Sequence, residues 1–263
     1  MSRAELRVGF VGVGNIGGPM AATLARRFDV VVHDARPEAA AAVPGARAVP
    51  AVAEVARAAP VVCVAVYDDA QVEAVVMGLL AGTRPGHTIL VHSTVRAATV
   101  RRLAAVAAGS GVAVLDVAVA GGDAAARAGR LTLMAGGDAA ALAAVQPVLA
   151  ALGTVFHVGP AGAGVAAKLV NNLVLHVGFR VLEEALALGR AAGVAERDLV
   201  AVLDAGTARS WLTGNLDYYR RQVREVLPPD LVAKDVAAAL GLADGLHAPL
   251  CRLAARIAAE GDR

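Results

Sequence analysis

Short apolar runs rich in valine recur along the first half of the chain, at Leu6–Val11, Val30–His33, Val61–Val66, Thr88–His92 and Val112–Val117. Each is a continuous block rather than an alternation of apolar and polar positions, the pattern of strands buried on both faces of a sheet. The stretches between most of them are alanine-rich with helical spacing, so the chain reads as successive βαβ units. Two further runs, Leu131–Ala135 and Val155–Val158, extend the sheet. The expected fold is α/β, a doubly wound parallel sheet whose ligands gather at the carboxyl ends of its strands.

Beyond Gly159-Pro160 the strand pattern stops. Ala163 to Ala192 reads as one long helix relieved only by Gly164, Gly178 and Gly189. Helical spacing returns over Glu196–Leu203, Leu216–Val226, Leu231–Leu242 and Pro249–Ala259. A chain of 263 residues is comfortable for two cores. We therefore expect a sheet domain over 1–160 and an all-α domain over 161–263 that begins with the long helix.

Composition sharpens this picture in three ways. With 57% hydrophobic and only 3% aromatic residues, the interior must be built from alanine, valine and leucine. A net charge of +2 with scattered arginines offers no basic block for nucleic acid. Two cysteines, Cys63 and Cys251, make neither a disulfide framework nor a zinc pattern, which fits a reducing cytoplasm. The uncharged run from Val8 to Ala25 has the length of a signal peptide, but Gly9, Gly12, Gly14, Gly17 and Gly18 with Pro19 interrupt it as a strand and turn would. The run from Ala139 to Ala167 is broken by Pro147, Gly153, His157 and Pro160, so neither is expected to span a membrane.

Candidate chemistry begins at the first strand. Gly12, Gly14 and Gly17 form GxGxxG, with Asn15 and Ile16 inside it, between an expected strand and an expected helix. In that context Gly12 permits the tight turn, Gly14 lets the backbone approach a pyrophosphate, and Gly17 lets helix and strand pack closely. A merely glycine-rich turn is the plainer alternative. Against it stands Asp34, which ends the second strand at the spacing of a ribose-binding carboxylate. The sheet domain is therefore read as a Rossmann-type dinucleotide-binding domain. Asp34 would repel a 2′-phosphate and so favours NAD; Arg36 either turns onto such a phosphate, making NADP the alternative, or is simply solvated.

Hydride transfer requires a proton carrier, and no HxxxH pair suggests a metal. Lys168 is the best candidate: it follows a long uncharged stretch at the expected domain junction and shares a helix face with Asn172. A lysine on a helix is usually a solvated charge. Here Asn171 and Asn172 beside it are poor mid-helix residues with no obvious local benefit, which points to a site. Burial can bring a lysine into the range where it exchanges a proton near neutral pH.

With GFVGVGNIGGPMAATLA, HSTV, DVAVAGGDAAARAGRLTLMAGGD, GAGVAAKLVNNL and AKDV in this order, the chain resembles the β-hydroxyacid dehydrogenases of the 3-hydroxyisobutyrate and 6-phosphogluconate dehydrogenase type. The resemblance runs from about Leu6 to Leu250. It implies a nicotinamide-dependent dehydrogenase or reductase acting on a small β-hydroxyacid or semialdehyde, with Lys168 as acid/base and Asn172 orienting the reacting oxygen. It further implies that Gly121 and Gly122 bind the substrate carboxylate through backbone N–H groups. Val66, Tyr67, Thr94 and Lys234 fall where relatives contact the cofactor. Trp211 falls in a segment that walls the substrate pocket, or is ordinary core. Relatives form dimers or larger assemblies by packing their helical domains, and the apolar Leu173–Leu188 segment is compatible with that.

The chain departs from the family's DAPVSGG at Ala118 and Ala120, which replace a proline and a serine. Losing the hydroxyl at Ala120 removes a hydrogen bond to a charged carboxylate, about 1.5–3 kcal/mol. Ala97 replaces a common proline, Leu227 stands where an aromatic often closes the pocket, and the last helical segment is shorter than usual. Two alternatives follow: an imine or aldehyde reductase on the same fold, and a non-catalytic NAD(P)-binding sensor. The first is disfavoured because imine-reducing relatives usually replace the lysine, the second because Lys168 and Asn172 are both retained.

Overall fold

The computed structural model describes residues 6–227 and 230–242. The chain runs β1 (Arg7–Val11), α1 (Gly17–Ala25), β2 (Asp29–His33), α2 (Pro37–Ala41), β3 (Ala46–Ala48), α3 (Val52–Ala58), β4 (Val61–Val64), α4 (Asp69–Leu80), β5 (Thr88–Val91) and α5 (Ala97–Ala108). It continues through β6 (Ala113–Ala120), α6 (Gly122–Ala128), β7 (Leu131–Gly136), α7 (Ala139–Leu152) and β8 (Gly153–Gly159). The strands form one sheet in the order β3-β2-β1-β4-β5-β6-β7-β8. Every residue of β4 and β5 is buried, as their unbroken apolar sequences demand. The core is aliphatic around Met20, Leu24, Leu90, Leu115, Leu133 and Leu149, and among the described residues Phe10 is the one ring in the set of its largest fully buried side chains.

The sheet departs from the all-parallel expectation at one step, where β6 and β7 pair antiparallel, with Asp116 opposite Gly136 and Ala120 opposite Thr132. Between them lies only the seven-residue α6. A parallel crossover needs about a dozen residues or more, so the strand must return on itself. Pairing with β7 also carries β6 three residues past its expected end. The three-residue β3 has no apolar block to announce it, and β8 is an edge strand with Phe156 and Val158 exposed.

Contacts divide the chain into two compact units, 1–168 and 169–263. The helical part comprises α8 (Ala163–Ala191), α9 (Glu196–Ala205), α10 (Trp211–Gly214), α11 (Leu216–Arg221), a π-helical turn at Gln222–Val226 and α12 (Leu231–Leu240). Within the second unit Val177 of α8 packs on Val236 of α12. The one-turn α10 carries no apolar periodicity; a capping box between Ser210 and Thr213 starts it. The expected helix over Pro249–Ala259 lies outside the described residues. By length and composition α8 could cross a membrane, yet its buried Asn172 and His176 hydrogen-bond to Asp235 and Tyr219, as in a helix packed inside a protein.

Candidate active site

Adjacent strands β2, β1, β4, β5 and β6 run parallel, so the loops that leave their carboxyl ends share one edge of the sheet. That edge holds Asp34 and Arg36 after β2, Gly12 to Gly17 after β1, Val66 and Tyr67 after β4, Thr94 after β5, and Ala120 to Gly122 at the end of β6. The three glycines of the first loop differ in what surrounds them. Gly12 adopts φ 87°, and a Cβ there would lie 2.3 Å from the Ala65 carbonyl oxygen. A Cβ on Gly17 would lie 2.0 Å from the Gly12 carbonyl oxygen, so no side chain fits where α1 meets the loop. Gly14 has nothing within 4 Å of its Cβ position. Its open side is where backbone can meet a ligand, beside a helix start that no side chain caps and whose first turn holds no acidic residue.

Asp34 is spent on this loop. Its Oδ2 accepts the Val13 N–H at 2.9 Å, and its Oδ1 accepts the Arg36 N–H at 2.9 Å. Burial pushes the carboxyl up, but the N–H groups of Arg36 and Val13 and the Arg36 guanidinium outweigh it and hold Asp34 below the usual carboxylate range. Arg36 pairs with Asp34 at 3.4 Å while most of its side chain stays in solvent. An ionised carboxylate, an open glycine face and an uncapped helix start together fit a dinucleotide's ribose and pyrophosphate.

The loops after β4 and β5 are tied together. Val66 N–H donates to Ser93 Oγ at 2.9 Å, and Asp69 accepts both Thr99 Oγ1 and the Arg96 N–H. These clamps hold the exposed Tyr67 and half-buried Thr94 on neighbouring loops. His92, from the same HSTV segment, is buried against Phe10 with its Nδ1 2.7 Å from the Val117 carbonyl. Burial pushes it down to about 4, so it is neutral and braces β5 against β6 rather than carrying protons. At the end of β6, Gly121 at φ 126° turns the strand into α6, and a Cβ there would meet Ala125 at 2.7 Å. Ala120 and Gly122 flank it, half-buried.

Lys168 lies in the second turn of α8 and is half-buried. The start of that helix is fixed by Asp116 of β6, which is fully buried. Asp116 Oδ1 accepts the Gly162 N–H and Oδ2 the Val165 N–H, both at 2.8 Å, the second being the bond an N-cap side chain would make. One turn after Lys168, Asn172 is 7% exposed and donates through Nδ2 to Asp235 Oδ2 at 2.7 Å. Asn171 donates to Asn172 Oδ1 at 3.3 Å. The asparagine pair therefore does gain something, through a partner on α12 rather than locally; a charge-assisted bond of this kind is worth about 1.5–3 kcal/mol. Four residues further, His176 Nδ1 lies 2.6 Å from the Tyr219 hydroxyl. Trp211 is 49% exposed and meets Tyr218 and Tyr219 edge-on. It is not core; Leu212 beside it is buried. Lys234 is half-buried, adjoining Asp235.

Ser93, Asp116 and Asp235 were not singled out from the sequence. Each lies inside a motif that was, in HSTV, DVAVAGG and AKDV, so the signal was present without a role attached.

Residues 7–159 match the family model described as the NAD binding domain of 6-phosphogluconate dehydrogenase, and 162–262 the one described as NAD-binding of NADP-dependent 3-hydroxyisobutyrate dehydrogenase. An NAD-dependent L-serine dehydrogenase of Pseudomonas aeruginosa is 36% identical over 215 residues, 78% of this chain and 71% of that protein. A 3-hydroxyisobutyrate dehydrogenase of the same organism is 35% identical over 211 residues, with the same 78% and 71% covered. The solved structure of Mycobacterium tuberculosis 3-hydroxyisobutyrate dehydrogenase with L-serine superposes with a TM-score of 0.86 at 30% identity, covering 97% of this chain and 93% of that one.

Proposed function

We infer the chemistry of this site from one premise: the chain belongs to the β-hydroxyacid dehydrogenase family. It is an NAD(P)-dependent oxidoreductase that interconverts a small hydroxyacid and its carbonyl form. When bound, the nicotinamide accepts or returns the hydride of the carbinol carbon. Lys168 takes the hydroxyl proton as that C–H bond breaks, and returns it in the reverse direction. Asn172, oriented by Asp235, holds the reacting oxygen, and the N–H groups at Gly121 and Gly122 hold the substrate carboxylate. The observation that carries this reading is Lys168 one helical turn from an asparagine locked by a buried carboxylate. Val66, Tyr67, Thr94 and Lys234 are assigned to the cofactor, and Trp211 to the substrate pocket wall. Residues 1–160 are read as the dinucleotide-binding domain, which also carries Gly121 and Gly122, and 161–263 as the helical domain that begins with α8.

Asp34 selects NAD over NADP, because its ionised carboxylate accepts ribose hydroxyls and repels a 2′-phosphate. Steady-state turnover of hydroxyacids and semialdehydes with both nucleotides tests this; a clear NADPH preference contradicts it. Saturable nucleotide binding without turnover across such a panel, imines included, would instead support a sensor. Ala120→Ser should tighten hydroxyacid binding by about ten- to a hundredfold through one added bond to the carboxylate. An unchanged KM would remove residue 120 from the carboxylate site.

The homo-oligomer is assigned to α8. Val170, Val174, Val181 and Leu188 are all more than half exposed, and at about 100° per residue they fall within about 40° of one another. The stripe runs about 27 Å, with Lys168 at least about 120° around the helix from it. Apolar residues outward and Lys168, Asn172 and His176 inward is the reverse of a solvated helix, so a second copy of this face is its natural cover. Light scattering should find a dimer or larger assembly, and Val174→Glu with Leu188→Glu should dissociate it. A wild-type monomer at micromolar concentration would contradict the assignment. A buried thiol at Cys63 suits a soluble cytoplasmic enzyme.

A further inference from the structure

The proposed chemistry depends on where one flexible amine sits, and the first turn of α8 decides that. This turn lies directly against the sheet. A Cβ on Gly164 would lie 2.3 Å from the Met134 carbonyl oxygen and 2.7 Å from that of Asp116. A Cβ on Gly136, in the facing strand β7, would lie 2.6 Å from Asp116 Oδ1 and 2.8 Å from the Gly164 nitrogen. Backbone thus rests on backbone, with no side chain between, and the Asp116 carboxylate fills the centre of the contact. Its oxygens accept the N–H groups of Gly162 and Val165 at 2.8 Å, and those of Gly164 and Asp116 itself also point to them. Burial pushes this carboxyl up while those donors oppose the shift. All four of these groups are donors, matched to the acceptor oxygens of the carboxyl.

The position of this carboxylate in β6 matters as much as its bonds. The strand that carries Asp116 ends at Ala120 and turns at Gly121 and Gly122. One strand, paired with β5 over Ala113–Asp116 and with β7 over Asp116–Ala120, therefore holds at its middle the anchor of α8 and at its end the loop assigned to the substrate carboxylate. Lys168 follows Val165, the last anchored residue, by three positions on the same helix.

We propose that Asp116 is a positioning residue for Lys168, fixing the first turn of α8 on the strand that also presents Gly121 and Gly122. The proposal rests on the reading of Lys168 as acid/base. It assigns Asp116 no contact with substrate or cofactor: the carboxylate acts by setting the distance between the amine and the carboxylate-binding loop.

Asp116→Asn keeps the shape but sets an NH₂ against one of two backbone N–H groups, so the turn must shift or lose a bond. Displacements of about 1 Å can cost about 10²-fold in rate, so kcat should fall by about tenfold or more. KM and the nucleotide Kd should stay within about twofold, because the loops that bind both ligands are untouched. A loss that runs through Lys168 vanishes once Lys168 is gone: Asp116→Asn with Lys168→Ala should turn over within about twofold of Lys168→Ala alone. Wild-type kcat in Asp116→Asn overturns the proposal, and so does a double variant in which the two losses multiply. Should Asp116→Asn fail to fold, Gly164→Ala displaces the same turn by way of Met134 and goes through the same comparison; full kcat there overturns it equally. Near-normal turnover of Lys168→Ala alone would instead remove the underlying acid/base assignment.

Discussion

Lys168→Ala should lose about 10²–10⁴-fold in kcat, the contribution of a positioned proton carrier. The nucleotide Kd should stay within about twofold, since Gly12 to Gly17 and Asp34 lie on loops of the sheet that the substitution does not touch. Three buried titratable groups of the site have other tasks. His92 is neutral and braced against Val117, Asp116 is committed to backbone N–H groups, and Asp235 to Asn172. Stopped-flow measurement of nucleotide reduction separates the chemical step from release. If the variant kept a normal rate of hydride transfer, the proton would have to leave by another route.

Gly17→Ala should be nearly as damaging for a different reason. The added methyl would lie 2.0 Å from a backbone oxygen and 3.1 Å from Phe10 in the core, and neither can yield cheaply. Helix α1 must move off the loop, and the N–H groups that face the pyrophosphate move with it. Losing two charge-assisted bonds at about 1.5–3 kcal/mol each weakens nucleotide binding by about 10²-fold or more. Thermal stability should fall as well. Gly14→Ala is the informative contrast, because its Cβ meets nothing in the protein. It should keep the wild-type Tm and still weaken nucleotide binding, since the empty space is the ligand's. If Gly14→Ala bound nucleotide normally, the open face of the loop would not be the pyrophosphate site.

These expectations draw on features of unequal visibility in the sequence. The strands of β1, β2, β4 and β5 are buried on both sides, so their apolar blocks announce them within a residue or two. GxGxxG and Asp34 are local as well, and their partnership, Val13 to Asp34, spans only the first βαβ unit. The reversal at β7 was not legible, because an apolar block looks the same whichever way its neighbour runs; only the brevity of α6 hints at it. The anchors of the long helix were hidden for another reason. Asp116 meets Gly162 and Val165 across 46 and 49 residues, and Asn172 meets Asp235 across 63. Pairings at that range follow from the completed topology, and a single sequence without it shows only an aspartate inside a strand and another inside a helix.

The central claim is that the Lys168 amine meets the reacting oxygen. The most direct measurement is a crystal structure of the enzyme with NADH and a non-reactive hydroxyacid analogue. The expected result places Nζ about 2.6–3.2 Å from the oxygen on the carbon that faces nicotinamide C4, with Asn172 on the same oxygen. An amine turned into solvent, with another donor on that oxygen, would contradict it.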